Sequence, residues 1–460
     1  MMASGEAHLF TGWGRTAYSR AWVTRPGTAD AVAEALRTAG SRGVLPRGLG
    51  RSYGDVAQNA GGTVLDMTSM GGLVALDPAA GTLTVMAGES LDKILRATVP
   101  RGWFLPVTPG TRYVTIGGAV ANDIHGKNHH RAGSISEHLV SFEMVLASGE
   151  VVTVAPEGDT ELFDATLGGM GLTGVITRAT LKMLPITTSR VRQDTDRCQD
   201  LDQLMALMAS EDDHYRYSVA WIDCLARGKS LGRGVLTRGE HAEIDDLPHA
   251  HRVDPLTYTP TSLAGVPAFM PNVMNPLSAR AFNELWFRRA PARERGRPVA
   301  IAPFFYPLDA VRDWNRLYGR RGFIQYQFVV PFGQETVIRT VVETLAASGS
   351  PSFLAVLKRF GSGRGMLSFP IPGWTLALDI PAGAPDLALL LDGLDRTVIE
   401  AGGRVYLAKD SRLDPGSLRA MYPGLSRFQE VRERVDPDRR LRSDLGRRVD
   451  LDTSRRDVLA

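Results

Sequence analysis

The chain has 460 residues, 43% hydrophobic and 22% charged, the composition of a soluble globular protein with a sizeable core and room for two or three domains. Its 53 basic and 50 acidic side chains leave a net charge of only +3, which excludes a nucleic-acid partner held by bulk electrostatics. Cys198 and Cys224 are the only cysteines and form no CxxC, so a disulfide framework is excluded and a reduced compartment is expected; no apolar run approaches the ~18 residues that span a bilayer.

The opening MMASGEAHLFTGWGRT lacks the basic-then-apolar run of a signal peptide. The chain is therefore expected in the cytoplasm or in peripheral contact with a membrane, with the periplasmic face left open. Ala29, Val32, Ala33, Leu36 and Ala39 recur at helical spacing behind Thr28, a fitting N-cap, and predict a first helix. A short strand GVLP leads into the turn RGLGRSYGD. GTVLDM and GTLTVMAG read as strands, Leu91 to Val99 as a helix, and GWFLPVTPG as a further strand. SFEMVLASGEVVTVAP predicts a hairpin turning at Ser148-Gly149, and GVITRATLKMLP one more strand. From about residue 187 the texture changes. The strands YRYSVAWIDC and FIQYQFVVP stand beside the helix GQETVIRTVVETLAAS. Between them, residues 226–300 carry many prolines, glycines and arginines with weak periodicity. They read as one long loop region, either a mobile lid over a site or a disordered surface insertion. Beyond about 404 the chain is helical and basic. The expected division is 1–186, 187–404 and 405–460, in an α+β protein.

Three glycine-rich loops punctuate the first part. PRGLGRSYGD places its glycines at 48, 50 and 54 and is followed by no helix, so it fails the dinucleotide fingerprint of a doubly wound fold. It can still present backbone N–H groups to a pyrophosphate, although an ordinary tight turn would look the same. PVTPGTRYVTIGGAVANDIHGKN and LGGMGLTGVIT repeat the theme with Gly110, Gly117, Gly118 and Gly126, then Gly168, Gly169, Gly171 and Gly174. Small residues let a backbone approach a ligand closely, and three such loops are hard to attribute to turns alone.

In this order the three loops resemble the FAD-binding domain of the vanillyl-alcohol-oxidase, or PCMH-type, flavoprotein family. GRSYGD, DIHGKNHH, IQYQF, FPIPGW and AKDSR further resemble a branch of it whose members oxidise the 2′-hydroxyl of a polyprenyl-phosphoryl ribose, and this similarity runs from about Trp13 to Leu451. The resemblance implies an FAD domain built from the N-terminal part and the C-terminal segment, with a substrate or cap domain, a sheet with helices, inserted between them. Pro46, Arg47, Gly48, Leu49, Gly50, Arg51, Ser52, Tyr53, Gly54 and Asp55 would wrap the pyrophosphate. Gly110, Thr115, Ile116, Gly117, Gly118, Asn122, Asp123, Ile124 and His125 would line the flavin, with Ile176 and Tyr406 completing the pocket. Arg51 stands where many members carry the histidine that attaches flavin covalently, so the implied FAD is non-covalent. An NADH-dependent short-chain reductase would complete an epimerisation toward the arabinose donor of actinobacterial cell-wall arabinan.

Three histidines fall within six positions at 125–130, and His138 follows. No HExxH or comparable spacing accompanies them, so no metal is expected. His129, His130 and His138 suit a polar turn. His125 and Lys127 fit a flavin pocket, where they could orient a sugar hydroxyl and a phosphate. Gln325 and Gln327 share one strand face and suit a polyhydroxylated ring, although a half-exposed strand would show the same pattern. Lys358 and Phe360 likewise share a face. Trp221 and Tyr53 are candidate pocket aromatics, with core packing as the alternative. Lys409 would be an unremarkable surface lysine without the resemblance, which places it beside flavin and substrate as a catalytic residue with His125 and Tyr53. After PIPGW the related branch commonly carries an asparagine and a cysteine; here Thr375, Leu376 and Ala377 stand, so a thiol-directed inhibitor would find no anchor. Two rival functions stay open: an oxygen-using alditol or aldonolactone oxidase, and a flavin-binding partner of a reductase without turnover of its own.

Overall fold

The computed structural model describes residues 7–452 apart from 263, 264, 268, 350, 351 and 353. The first part builds two sheets. In one, β1 (Ala7–Thr11), β2 (Tyr18–Thr24), β3 (Val44–Arg47) and β4 (Thr63–Asp66) run in the order β1-β2-β4-β3, with β4 parallel to both of its neighbours. Helix α1 (Ala29–Arg37) covers it by burying Val32, Ala33 and Leu36, and the Thr28 side chain caps it by accepting from the Ala31 N–H. The other sheet is antiparallel throughout, in the order β5-β6-β10-β8-β9: β5 (Leu73–Asp77), β6 (Thr82–Met86), β8 (Leu139–Val145), β9 (Val151–Val154) and β10 (Val175–Lys182). The predicted hairpin closes with Val145 opposite Val151, and Gly149 takes the left-handed conformation that the turn needs. Helices α2 (Leu91–Thr98), α3 (Ile116–Ala121), α4 (His129–Ala132) and α5 (Thr160–Thr166) fill the connections.

The second part is one antiparallel eight-stranded sheet, ordered β15-β12-β14-β13-β17-β18-β16-β19. Its strands are β12 (Arg190–Cys198), β13 (Tyr217–Ile222), β14 (Gly234–His241), β15 (Arg293–Ala300), β16 (Phe323–Pro331), β17 (Ala355–Phe360), β18 (Gly373–Pro381) and β19 (Arg404–Val405). Helices α6 (Leu201–Glu211), α7 (His249–Arg252), α8 (Pro276–Arg289), α9 (Ile301–Phe305), α10 (Glu335–Ser348) and α11 (Leu387–Glu400) connect them. Then α12 (Pro415–Met421), α13 (Leu425–Val435) and α14 (Asp444–Arg448) return to the first part, where Leu441 bridges Val44 and Asp444 N–H donates to Gln58. Among the described residues no helix is long and apolar enough to cross a membrane.

Two sequence expectations need correction. Residues 226–300 are not one loop region: they contain β14 inside the sheet, β15 at its edge and the fourteen-residue α8. The polar residues Thr237, Arg238 and Glu240 hid the first strand; Arg238 is buried only because Asp196 and Glu211 pair with it at 2.6 and 2.8 Å. The strand expected from GWFLPVTPG is only β7 (Trp103–Phe104), paired with β11 (Leu184–Pro185). Pro106 and Pro109 lack the N–H that a ladder needs, and the segment after β7 becomes cavity wall instead. Strands β1, β2 and β5 were not legible.

The first glycine loop is fastened to the returning tail by Arg448, which meets Asp55 at 2.7 and 2.9 Å and Asp410 at 2.9 Å. Removing the guanidinium leaves two largely buried carboxylates without their cation, a change that costs ~3 kcal/mol. Arg448→Ala should lower the free energy of unfolding by that amount in urea titrations; a loss below ~0.5 kcal/mol would show the clasp to be ornamental.

Candidate active site

A cavity of about 870 Å³ opens between the two parts and the tail. The first part contributes Pro46 to Tyr53, much of Thr108 to Lys127, and Gly171, Gly174 and Ile176. The sheet of the second part contributes Trp221, Gln325, Lys358 and Ala377, and the tail adds Tyr406, Ala408 and Lys409. The volume lies in the range of cofactor pockets. Gly50 adopts φ +65°, which L side chains resist, so the loop can turn its main chain along the wall. Several buried polar atoms on wall residues have no partner among the described residues: Arg51 Nε, Asn122 Oδ1, His125 Nδ1 and Gln325 Oε1. Buried polar groups are almost always paired, so this set fits a large polar cofactor such as FAD. Arg51 itself lies 3.9 Å over the Trp13 ring.

The chemistry concentrates at one end. His125 rests in an aromatic box, with ring centroids of Phe360 at 4.8 Å, Tyr406 at 5.1 Å and Phe369 at 5.6 Å. Burial, then the charges of Lys358 and Lys409, push its pKa well below the ordinary value, so the imidazole is neutral. Gln327 Nε2 donates to His125 Nε2 at 3.2 Å, which leaves the proton on Nδ1. Lys127 donates to the Phe304 carbonyl and lies 4.5 Å from that ring's centroid; burial, then Lys358, lowers its pKa to about 7. Burial alone brings Lys358 to about 8. Lys409 stands 5.4 Å from the Tyr53 ring centroid and is lowered by burial and by Lys358, with Asp379 opposing. Asp379 is raised by burial and accepts from Gln325. Neither Lys127 nor Lys358 has a carboxylate partner among the described residues.

Six predicted contacts do not form the wall. A Cβ at Gly54 would sit 1.7 Å from the Asp410 carbonyl, so this glycine admits the tail rather than a ligand. Asp55 is engaged by Arg448, and Ile116 lies in the core. Asp123 is buried at φ +41°, accepting from Ser136 N–H at 3.3 Å and from the Ser368 hydroxyl, and burial raises its pKa to about 6. Gln327 and Phe360 stand one layer behind, against His125. The other histidines are spoken for: His129 by Ser134 and Gly361, His130 by the carbonyls of Asp212 and Tyr215, His138 by that of Ala132. Thr375 receives the second Gln327 N–H at 3.0 Å and donates to Phe328. Sequence reasoning missed Trp13, Tyr113, Phe304, Asp309 and Asp379. Only Asp379 left a signal, as the one carboxylate in the otherwise apolar strand GWTLALDIP.

Comparison with known proteins bears directly on this cavity. Residues 21–155 match the FAD binding domain family, and residues 390–449 match D-arabinono-1,4-lactone oxidase. Over 447 residues the chain is 43% identical to decaprenylphosphoryl-β-D-ribose oxidase of Mycolicibacterium smegmatis, covering 96% of this chain and 97% of that protein. The chain belongs to the decaprenylphosphoryl-β-D-ribose oxidase family. An uncharacterized Streptomyces coelicolor protein is 43% identical over 372 residues, 79% of this chain and 100% of the relative. Cytokinin dehydrogenase 1 of Oryza sativa is 36% identical over 180 residues, 37% of this chain and 34% of its own length. The protein is thus an FAD-dependent oxidoreductase with the PCMH-type α+β fold.

A lysine that is partly withdrawn from water without a carboxylate partner costs stability. Lys358 titrates near 8 when folded and near its ordinary 10.5 when unfolded, so between those values the unfolded chain binds more protons and stability rises with pH. Lys358→Met should stabilise the substrate-free protein by up to ~3 kcal/mol at pH 7, a gain that shrinks toward zero by pH 10.5. A pH-independent effect in paired denaturation curves would contradict the assignment.

Proposed function

We propose that the protein oxidises the 2′-hydroxyl of a polyprenyl-phosphoryl ribose to the ketone, the first half of an epimerisation that an NADH-dependent reductase completes. One observation carries the reading. Lys127, Lys358 and Lys409 line one cavity, each half-buried, and among the described residues only Lys409 has a carboxylate, Asp379, among the influences on its charge. Such a site favours an anion, and a phosphodiester beside the sugar supplies one. The relative is named for decaprenylphosphoryl-β-D-ribose, a substrate with that chemistry.

In this reading residues 1–186 and 405–460 hold FAD, and 187–404 hold the substrate. FAD supplies the acceptor for the two electrons. Lys127 and Lys358 bind the phosphate, which restores the protonation that burial weakens. The His125 Nδ1–H donates to the ribose, held in place by Gln327 and the surrounding aromatic rings. Since His125 Nε2 already accepts from Gln327, the proton of the reacting hydroxyl goes to Lys409 Nζ, whose lowered pKa suits a base. Tyr53 and Gln325 close the wall beside it. Burial raises the Tyr53 pKa, so it acts as a neutral hydroxyl. Trp221 lines the same cavity from β13. With Arg51 in place of an attaching histidine, FAD is held without a covalent bond. The match of residues 390–449 favours a second reading, an aldonolactone oxidase, but a neutral sugar leaves Lys127 and Lys358 without a counterion.

Lys409→Ala should purify with FAD that acid precipitation releases into the supernatant, and should reduce it at least ~100-fold more slowly than the parent. The parent's reduction rate should climb with pH and level off well below 10.5, the ordinary lysine value; the variant should lack that limb. Near-parent reduction in stopped-flow traces, or flavin remaining with the pellet, would contradict these assignments.

A further inference from the structure

Helix α8 leaves large apolar side chains in solvent. Asn275 caps it by accepting from the N–H groups of Leu277 and Ser278, and Ala279, Asn283 and Phe287 anchor it to the protein. Away from that face it exposes Leu277 (76%) and Leu285 (67%); on the flank beside the anchors Phe282 (42%) and Trp286 (45%) also reach solvent, and Phe269 just upstream is 88% exposed. Single exposed apolar residues are ordinary, but four on one helix are a patch with a purpose. Two further observations say what covers it. Phe282 and Trp286 stack at 6.0 Å and belong to the wall of the active-site cavity, so the patch is continuous with the site. From residue 276 to 300 the chain carries six arginines against two glutamates, and so holds more positive charge than the whole molecule's +3. Both glutamates are already paired, Glu284 with Arg233 and Arg288, and Glu294 with Arg297, while Arg295 is held by Asp194 and Asp196. Arg280, Arg289 and Arg293 are exposed.

We propose that α8 docks the protein on an anionic lipid bilayer. Leu277, Leu285 and Trp286 enter the interface while Arg280, Arg289 and Arg293 meet the lipid phosphates. Exposed leucine and aromatic side chains interleaved with arginines are the composition of an interfacial helix, and a protein partner would not require this excess of one charge. The arrangement sets the cavity mouth against the bilayer, where a lipid-linked sugar could present its headgroup without its chain leaving the membrane. That use rests on the proposed substrate; the docking does not, and its test involves no turnover.

The test is flotation of the FAD-loaded protein with vesicles of phosphatidylglycerol and phosphatidylcholine, and separately of phosphatidylcholine alone. The parent should float with the anionic vesicles, less so as salt rises, and stay in solution with the neutral ones. Leu277→Gln combined with Leu285→Gln touches no cavity residue. This variant should keep its FAD and circular dichroism yet partition at least ~10-fold more weakly. Arg280→Gln with Arg289→Gln should weaken binding and flatten its salt dependence. Equal flotation of parent and leucine variant overturns the proposal. So does a parent that stays in solution while the leucine substitutions dissociate a dimer in ultracentrifugation, which would make a second copy of the chain the occupant.

Discussion

Three half-buried lysines that line one cavity, with Asp379 the one described carboxylate that bears on any of them, are the constraint on which the site depends. Burying charge in a protein interior is expensive, and ordinary cores avoid it by pairing. Here Lys127 leans on a carbonyl and an aromatic face, and Lys358 has a ring at 5.7 Å. Asp379 bears on Lys409 alone among the three. Burial, and then the charges of Lys358 and Lys409, hold the neighbouring imidazole neutral, and the shortage of negative charge is what the proposed anionic substrate would offset.

The fold serves that arrangement by bringing distant segments together. His125 and Lys127 follow α3, Lys358 lies on β17, Gln325 and Gln327 on β16, and Lys409 comes from the segment after β19. Their placement rests on backbone clasps rather than on the charges themselves. Tyr53 N–H donates to the Ala408 carbonyl, Ser218 N–H to that of Lys127, and Tyr406 Oη to that of Asn122 at 2.9 Å. The same clasps explain why glycines cluster in the first loop, since at Gly54 a side chain would collide with the tail. Repulsion among the lysines is therefore carried by the hydrogen-bonded frame.

Much of this was legible in the sequence, and the failures have physical causes. Strand β16 and helices α1 and α10 announced themselves by unbroken periodicity. The glycine loops stood out by composition and carried the resemblance, because their order along the chain is distinctive, whereas Lys409 was singled out by the resemblance alone. Strand β14 stayed hidden because its inward arginine, Arg238, is neutralised by carboxylates from β12 and α6 that no local pattern announces. Gln327 and Phe360 were placed one layer too far forward: a strand's alternation gives the face but not the depth of a side chain. Trp13 and Asp309 reach the cavity only through tertiary packing and left no local signal.

Anaerobic mixing of the purified protein with a polyprenyl-phosphoryl ribose tests this account most directly, with flavin absorbance and product mass followed together. The electrostatics predict rapid bleaching, formation of the 2′-keto sugar, and a yellow, unchanged flavin with unphosphorylated ribose or free alditols. Bleaching by a neutral alditol or aldonolactone as fast as by the phosphodiester would contradict it, because the cavity lysines would then have no role in choosing the substrate.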